Sequence, residues 1–511
     1  MPTWLVKTKK YLAQEKIILA LILALTVFFY WPSLRGEFLY WDDNYQISEN
    51  PDIKELSWAN TAKIFHSFYL GMYQPLTTAS YALNWHFWPD QPIAFHSTNL
   101  LLHLINIILV WLLFKKLNQP QGLRLLAAAW LAWQPLNVEA VAWLSARSGL
   151  LANATILGAT ISYLFYLEKN KRRWFWLSFV IFVLGVLSKS TAVIFPLIAL
   201  AADYFVIDKK PKTLWHNLWI KTPFWLVSLF FGYLTIVARQ QAGHITTLAG
   251  LYNLLDRLVL VFYSLSFYVV KFFLPLNLSP HYSYPLPINH HLPADVYLTA
   301  GLILIISGAL IFLIIKKRLP KIALFGLTWF ILNLILVLRI IPLGFQYATD
   351  RYNYLAALGL LLTLTTGFYN FRPSTPTFKK ILTGGLILIL LFFGCLSRAR
   401  TYHWQNKIIL LDEVIETMPA YGDAYFFRAL AKKEKADLAG ALDDFTLACY
   451  WAPQNLYFHE QRGLFLINFI TFHRRQFYIT FLFAGSSRLL FFVISSLSKN
   501  IKQAVELLEN K

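Results

Sequence analysis

KIILALILALTVFFYWPSLRGEFLYWDD, Lys16 to Asp43, is the stretch whose reading decides the fold class. Its apolar part, Ile17 to Tyr30 with Trp31, follows Lys7, Lys9, Lys10 and Lys16 and lacks a small-x-small cleavage pattern. It reads as a retained signal anchor that leaves the N-terminus in the cytoplasm. A spanning helix needs roughly 17 to 25 mostly apolar residues. Outward from this first run at 16–34, further runs fall at 93–114, 122–134, 148–167, 174–189, 190–206, 222–238, 296–315, 321–341, 352–370 and 381–397. The expectation is an all-α, polytopic membrane protein of about eleven spans.

Composition agrees with a bilayer as solvent. Of 511 residues, 57% are hydrophobic and 14% charged, against roughly a quarter charged in soluble domains. The net charge of +20 comes largely from clusters between the apolar runs: Lys115–Lys116 to Arg124, Lys169 to Arg173, Lys209 to Lys221, Lys316 to Lys321 and Arg372 to Lys380. Eleven spans starting inside put each cluster on the cytoplasmic side, as the positive-inside rule requires, so the charge does not point to nucleic acid. Counting 254–275 as a twelfth span would put Lys316 to Lys321 outside. With Asp256, Arg257 and Lys271 in it, that stretch reads as re-entrant or interfacial. Cys395 and Cys449 are the only cysteines and support neither a disulfide framework nor a Cys-rich metal site.

This parity collects the unusual polar residues on the outer side, in 35–92, 134–148, 188–190, 277–294 and 349–354. Asp42 and Asp43 open the first outer loop beside an aromatic cluster. Partial desolvation there would make a carboxylate a better general base, and an Asp pair can also hold a divalent metal; a plain acidic outer loop is the alternative. His96, Asn99 and His103 share one helix face, as a substrate site or as interhelical packing. Glu139 and Arg147 lie near the outer surface, where a solvated salt bridge would also account for them. Lys189 and Arg351 are cations between or beside apolar runs, suited to a lipid-linked phosphate or to pairing with Asp42, Asp43 or Glu139. His281 and Tyr282 sit in a proline-punctuated aromatic loop that could stack a sugar or form a rigid turn.

Six of these elements recur in one order: Trp41-Asp42-Asp43; Tyr73-Gln74-Pro75-Leu76; His96-Ser97-Thr98-Asn99-Leu100-Leu101-Leu102-His103; Pro135 to Glu139-Ala140-Val141-Ala142-Trp143; Leu278-Ser279-Pro280-His281-Tyr282-Ser283; and Asp350-Arg351-Tyr352-Asn353-Tyr354-Leu355. Together, over roughly 35–465, they resemble the GT-C superfamily, most closely the transmembrane-and-TPR-containing O-mannosyltransferases and their bacterial relatives. The resemblance implies transfer of a hexose, often mannose, from a polyprenyl-phosphate carrier to a protein or glycan acceptor, with inversion. It implies Asp42 as the base with Asp43 beside it orienting the acceptor or a metal, and Arg351, Arg147 and Lys189 as holders of the donor phosphate. Gln134-Pro135 stands where relatives tend to have His-Pro, Ser148-Gly149 follows Arg147 where they have x-Asp, and Ser190 follows the lysine where Glu is usual. The expected setting is a bacterial inner membrane with the site facing outward. Two other readings stay open: an enzyme of the O-antigen ligase or polymerase type, and a non-catalytic membrane scaffold.

The expected domains are 1–400 in the membrane, 404–470 as a TPR module and 471–511 as an atypical tail. With Gly422 as position 1 of a 34-residue repeat, Tyr425, Ala429, Ala441, Phe445, Ala448 and Pro453 occupy positions 4, 8, 20, 24, 27 and 32. Such a module offers a groove to a protein partner, and eleven spans put it on the same side as Asp42. The next repeat starts at Leu456, with its helix A expected to end about Phe469. Its helix B is expected near Lys502 to Glu509, after an insertion over 471–499 whose apolar part reads as an interfacial helix; a disordered tail or a sequence artefact is the alternative.

Overall fold

The computed structural model describes residues 3–206, 213–242, 252–287, 291–338, 346–369 and 375–483. Part of the basic connector at 209–212, Arg372, the apolar tail beyond Phe483 and the expected helix at 502–509 lie outside the described residues. The chain divides into two compact units, Met1–Leu410 and Leu411–Lys511.

The first unit opens with α1 (Thr3–Tyr30). Next comes a layer holding α2 (Trp58–His66) and α3 (Pro75–Phe87), so the first loop is folded rather than loose. Then follow α4 (Pro92–Lys116), α5 (Gln121–Trp133), α6 (Val138–Ala142), α7 (Arg147–Lys169), α8 (Arg172–Ser188), α9 (Phe195–Phe205), α10 (Leu214–Ile220), α11 (Thr222–Gln241), α12 (Leu254–Phe273), α13 (Ala294–Ile315), α14 (Lys321–Ile335), α15 (Asn353–Tyr369) and α16 (Pro376–His403). Six stretches are long and apolar enough to cross a bilayer: Ala13–Arg35, Pro92–Lys116, Leu144–Lys169, Thr222–Gln241, Ala294–Ile315 and Pro376–His403. Ser190–Phe205 and Lys321–Ile335 are shorter apolar stretches. Together they make an integral membrane protein. Many of the eleven expected spans are helices of 11 to 17 residues in this fold, for example α5, α8, α9, α14 and α15.

The 254–275 stretch, expected to be re-entrant or interfacial, overturns the first of these alternatives. It is a single unbroken helix, α12, with no reversal inside it, so it is not re-entrant. The charges that argued for irregularity sit at its ends. Asp256 completes a capping box with Asn253, Arg257 Nε donates to Tyr252 O at 3.1 Å, and Lys271 Nζ donates to the carbonyls of Leu276 and Asn277 in the following turn.

Close helix crossings hold the bundle. At α14 and α15, a Cβ on Gly359 would stand 2.3 Å from Gly326 O, and one on Gly326 would stand 2.6 Å from Gly359 O. The two backbones therefore touch, the small-residue contact favoured between membrane helices. At α7 and α8 the same device pairs Gly185 with Thr155, whose Oγ1 would lie 2.7 Å from an added Cβ. A small two-stranded sheet, β1 (Tyr282–Ser283) antiparallel to β2 (Gln346–Ala348), ties the proline loop to the start of α15.

From 407 onward come α17 (Lys407–Thr417), α18 (Gly422–Glu434), α19 (Leu438–Trp451) and α20 (Leu456–Phe483). Phe426 stacks on Phe458 with centroids 4.5 Å apart, and Arg428 bridges Asp412 and Asp444 at 2.7 Å each. α18 and α20 start one repeat period apart. α20 continues to Phe483, however, so no helix end falls near Phe469 as the insertion reading expected.

Candidate functional site

A cavity of about 530 Å³ lies between the α2–α3 layer and the helix ends of the first unit. Its wall draws on widely separated segments: Asp42 and Gln46; Met72, Tyr73 and Gln74; Trp143, Ser145 and Ser148; Lys189 to Thr191; Thr235 and Arg239; Leu336 and Val337; Arg351 and Tyr352. A small annex of about 50 Å³, with Asn153 and Asn333 in its wall, shares Lys189, Arg351 and Tyr352.

Asp42 and Asp43 part company here. Asp43 is fully buried; its Oδ2 accepts from Leu39 N at 3.1 Å and its Oδ1 from Ser145 N at 2.9 Å and Ser145 Oγ at 2.5 Å. It pins the first loop to the 144–146 turn. Burial pushes its carboxyl up to about 7, against the pull of those donors. Asp42 takes the left-handed φ of 72°, a conformation costing a non-glycine residue about 1–3 kcal/mol, and lines the cavity. A divalent cation does not fit this pair. Both Asp43 oxygens are taken, and among the described residues no three His, Cys, Asp or Glu side chains converge.

Lys189 is the residue where two helices break. α8 ends at Ser188, whose carbonyl accepts from Thr77 Oγ1 of α3 at 2.9 Å, and Lys189 is extended before the 3-10 turn into α9. Its Nζ lies 5.7 Å from the Tyr352 ring centroid, and among the described residues that ammonium has no hydrogen bond or ion pair. Arg351 is clamped from behind: Glu139 accepts from its backbone N at 2.8 Å and forms an ion pair with its guanidinium. The guanidinium also rides 4.9 Å above the Trp143 ring. Arg239, at the last turn of α11, adds a third cation to the wall.

The other candidates build walls instead of lining them. Arg147, expected to hold a phosphate, is buried away from the cavity. Its Nε donates to Asn99 Oδ1 at 2.8 Å, one Nη to Asn84 Oδ1 at 2.6 Å and the other to Phe95 O at 3.1 Å, while its guanidinium covers the Tyr81 ring at 4.5 Å. A cation so consumed cross-links α3, α4 and α7. Asn99 Nδ2 also donates to Trp143 O at 3.2 Å, and His103 Nδ1 shares a 2.7 Å hydrogen bond with Tyr354 OH. His96 packs on the Gly36 turn, where a Cβ would stand 2.7 Å from its Nε2. These three residues do share one buried face of α4, and that face is packing. Tyr282 OH donates to Asp350 at 2.9 Å, and His281 Nδ1 shares a 2.7 Å hydrogen bond with Gln346. Burial, with Arg351 nearby, lowers His281 to about 4. Neither reaches the cavity wall.

Arg239, Gln46 and Thr191 were not singled out from the sequence. For Arg239 a signal was present. The span 222–238 runs from inside to outside in the parity above, so a cation at its outer end breaks the positive-inside pattern and calls for an anion.

Residues 90–238 match the family of dolichyl-phosphate-mannose-protein mannosyltransferases. Over 154 residues, 28% of this chain, the sequence is 34% identical to Protein O-mannosyl-transferase TMTC1 of Mus musculus. Over 158 residues it is 31% identical to the Homo sapiens protein of the same name. These matches span only 16% and 17% of the relatives' own length. Among solved structures, the oligosaccharyltransferase of Archaeoglobus fulgidus in the apo form superposes with a TM-score of 0.46 at 14% identity, over 81% of this chain and 59% of that one. The archaeal oligosaccharyltransferase AglB, in complex with an inhibitory peptide and a dolichol-phosphate, gives 0.43 at 15% identity, over 77% and 56%. The matched segment is similar to protein mannosyltransferases.

Proposed function

We propose that this chain, which carries a mannosyltransferase-family segment at 90–238, is a membrane glycosyltransferase that moves a mannose-like hexose from a polyprenyl phosphate to an extracytoplasmic protein or glycan acceptor, with inversion. The observation that carries this reading is one cavity holding a single carboxylate, Asp42, together with Lys189, Arg239 and Arg351. Its volume suits a sugar phosphate headgroup. Lys189 in particular makes no direct ion pair or hydrogen bond through its ammonium among the described residues, and a phosphate would supply one.

In this reading Asp42 takes the proton of the acceptor hydroxyl. The acceptor oxygen attacks the anomeric carbon on the face opposite the phosphate. The carbon–oxygen bond to phosphate breaks, and polyprenyl phosphate departs with the bonding electrons. Lys189, Arg239 and Arg351 hold the charge that develops on it, the electrostatic part of catalysis, and Glu139 fixes Arg351 in place. The helices from Gly422 onward act as a TPR-like module offering a groove to a protein partner.

Transfer of radiolabelled hexose from polyprenyl-phosphate hexose by purified wild type, and its loss in Asp42→Asn, is the test. Consumption of an oligosaccharide diphosphate carrier instead would indicate an enzyme of the O-antigen ligase or polymerase type. Absence of transfer with any lipid-linked sugar would leave the scaffold reading.

A further inference from the structure

Trp404 follows the last helix of the first unit and is almost wholly buried, at 1% exposure. Its ring stacks on Trp143 with centroids 6.0 Å apart and planes 27° from parallel. Trp143 in turn touches both working parts of the cavity. Its indole N–H donates to Trp41 O at 2.6 Å, in the peptide unit next to Asp42, and its ring carries the Arg351 guanidinium.

The segment around Trp404 is fastened to the same region. Gln405 O accepts from Glu37 N at 3.0 Å, the Gln405 amide donates to Pro32 O, and Lys407 Nζ stands 4.5 Å over the Tyr40 ring. The Trp404 indole N–H finds no acceptor among the described residues. A buried donor left unpaired is unfavourable, so the fold keeps this side chain for its bulk and flat face.

We infer that Trp404 is a positioning residue: it backs Trp143, and through Trp143 it sets the spacing between the Asp42 carboxylate and the Arg351 guanidinium. It touches neither reacting group itself. The inference rests on the glycosyl-transfer reading only for its kinetic consequence, since the geometric one needs no substrate.

Two readouts separate these. Hydrogen exchange of the full-length protein in detergent reads the geometry. Trp404→Ala removes the backing plane, so peptides covering 38–46, where Gln46 N donates to Asp42 O at 2.8 Å, exchange faster, while those of α11 do not change. Trp404→Phe keeps a flat ring and removes the unpaired donor, so it exchanges like wild type. Kinetics read the function. Trp404→Ala raises the KM for polyprenyl-phosphate hexose and lowers kcat/KM on the order of tenfold to a hundredfold, the scale of a small misplacement of reacting groups, and Trp404→Phe restores both.

Unchanged exchange at 38–46 in a folded Trp404→Ala protein overturns the inference, as does a Trp404→Phe protein as impaired as the alanine variant. Should Trp404→Ala not fold, Trp404→Leu, which fills the space without a stacking plane, takes its place under the same two criteria. Altered exchange in an otherwise folded protein whose wild type transfers no hexose upholds the positioning role and sinks the glycosyl-transfer reading alone.

Discussion

Asp43 gives both oxygens to the backbone and hydroxyl donors of Leu39 and Ser145, while Asp42, held at φ 72°, lines the cavity. Substitution by asparagine therefore has different consequences at the two positions. Asn tolerates the left-handed region, so Asp42→Asn removes charge and leaves the backbone as it is. The expected result is a loss of transfer of about a hundredfold or more with an unchanged melting temperature. Asp43→Asn turns an amide NH₂ toward buried donors and costs stability at about 1–3 kcal/mol per donor left unpaired, visible as a lower melting temperature. Should Asp43→Asn abolish transfer in a stable protein while Asp42→Asn keeps it, the roles are reversed. For the cations, Lys189→Ala and Arg239→Ala each lose one charge-assisted contact, so donor KM rises roughly tenfold to a hundredfold. Arg351→Lys keeps charge but loses the fork held by Glu139 and should weaken donor binding as well. Donor KM at the wild-type value in all three would remove the phosphate from this cavity.

Helices reach the site through their ends, so a crossing far from the cavity still controls it. α14 delivers Leu336 and Val337 to the wall, and the 3-10 turn before α15 delivers Arg351 and Tyr352. These two helices meet at Gly326 and Gly359 with backbone on backbone. A side chain at Gly359 cannot be relieved by a side chain swinging aside, because the two nearest atoms it would meet are backbone, the Gly326 carbonyl oxygen and the Phe330 amide nitrogen, with the Trp329 ring next. Gly359→Val should cost about 3 kcal/mol or more, with a clear fall in melting temperature and donor binding lost together with stability. Gly308, with nothing within 4 Å of an added Cβ, is the control: Gly308→Ala should be neutral. The same scale explains what was legible in α12. Its length and apolarity were readable from sequence, but the placement of Asp256, Arg257 and Lys271 at capped ends needed the partners Asn253, Tyr252 and Leu276.

Over the whole molecule, two buried carboxyls, those of Asp43 and Asp350, give stability a pH slope of defined sign. Asp43 is pushed up to about 7 by burial, and Asp350 up to about 8 by burial and then by Glu139, with Arg400 opposing. Both lie above the ~3.9 of an unfolded aspartate, so the folded chain binds these protons more tightly than the unfolded one. Stability that is fully present below about pH 4 is therefore lost as pH rises through about 7 to 8. The melting temperature in detergent should fall between pH 5 and pH 9, and Asp43→Asn should flatten only Asp43's share of that fall. A flat profile in wild type would mean that both carboxyls are solvated. Orientation belongs to this scale too. The charge rule places Trp58 outside and Asn170 inside, and both are exposed or at an exposed turn. In a cysteine-free background, Trp58→Cys should react with an impermeant maleimide on intact cells and Asn170→Cys only after permeabilisation.

The sequence by itself determined the membrane class, the helical content, the segments between apolar runs that carry the polar residues, and the resemblance carried by Trp41-Asp42-Asp43 and Asp350-Arg351-Tyr352. It could do so because apolar run length, charge clusters between runs and short motifs are local, and a bilayer leaves few alternatives to the helix. Tertiary structure alone decided which polar residues face the cavity. Asp42 and Asp43, or Arg147 and Arg351, carry the same chemistry in the sequence. They are told apart only by what distant segments bring beside them: the Ser145 amide and hydroxyl to Asp43, Asn84, Asn99 and the Phe95 carbonyl to Arg147, the Trp143 ring and Glu139 to Arg351. A buried group must be paired or pay for its desolvation. The fold spends Asp43 and Arg147 on that pairing, away from the cavity that Asp42 and Lys189 line.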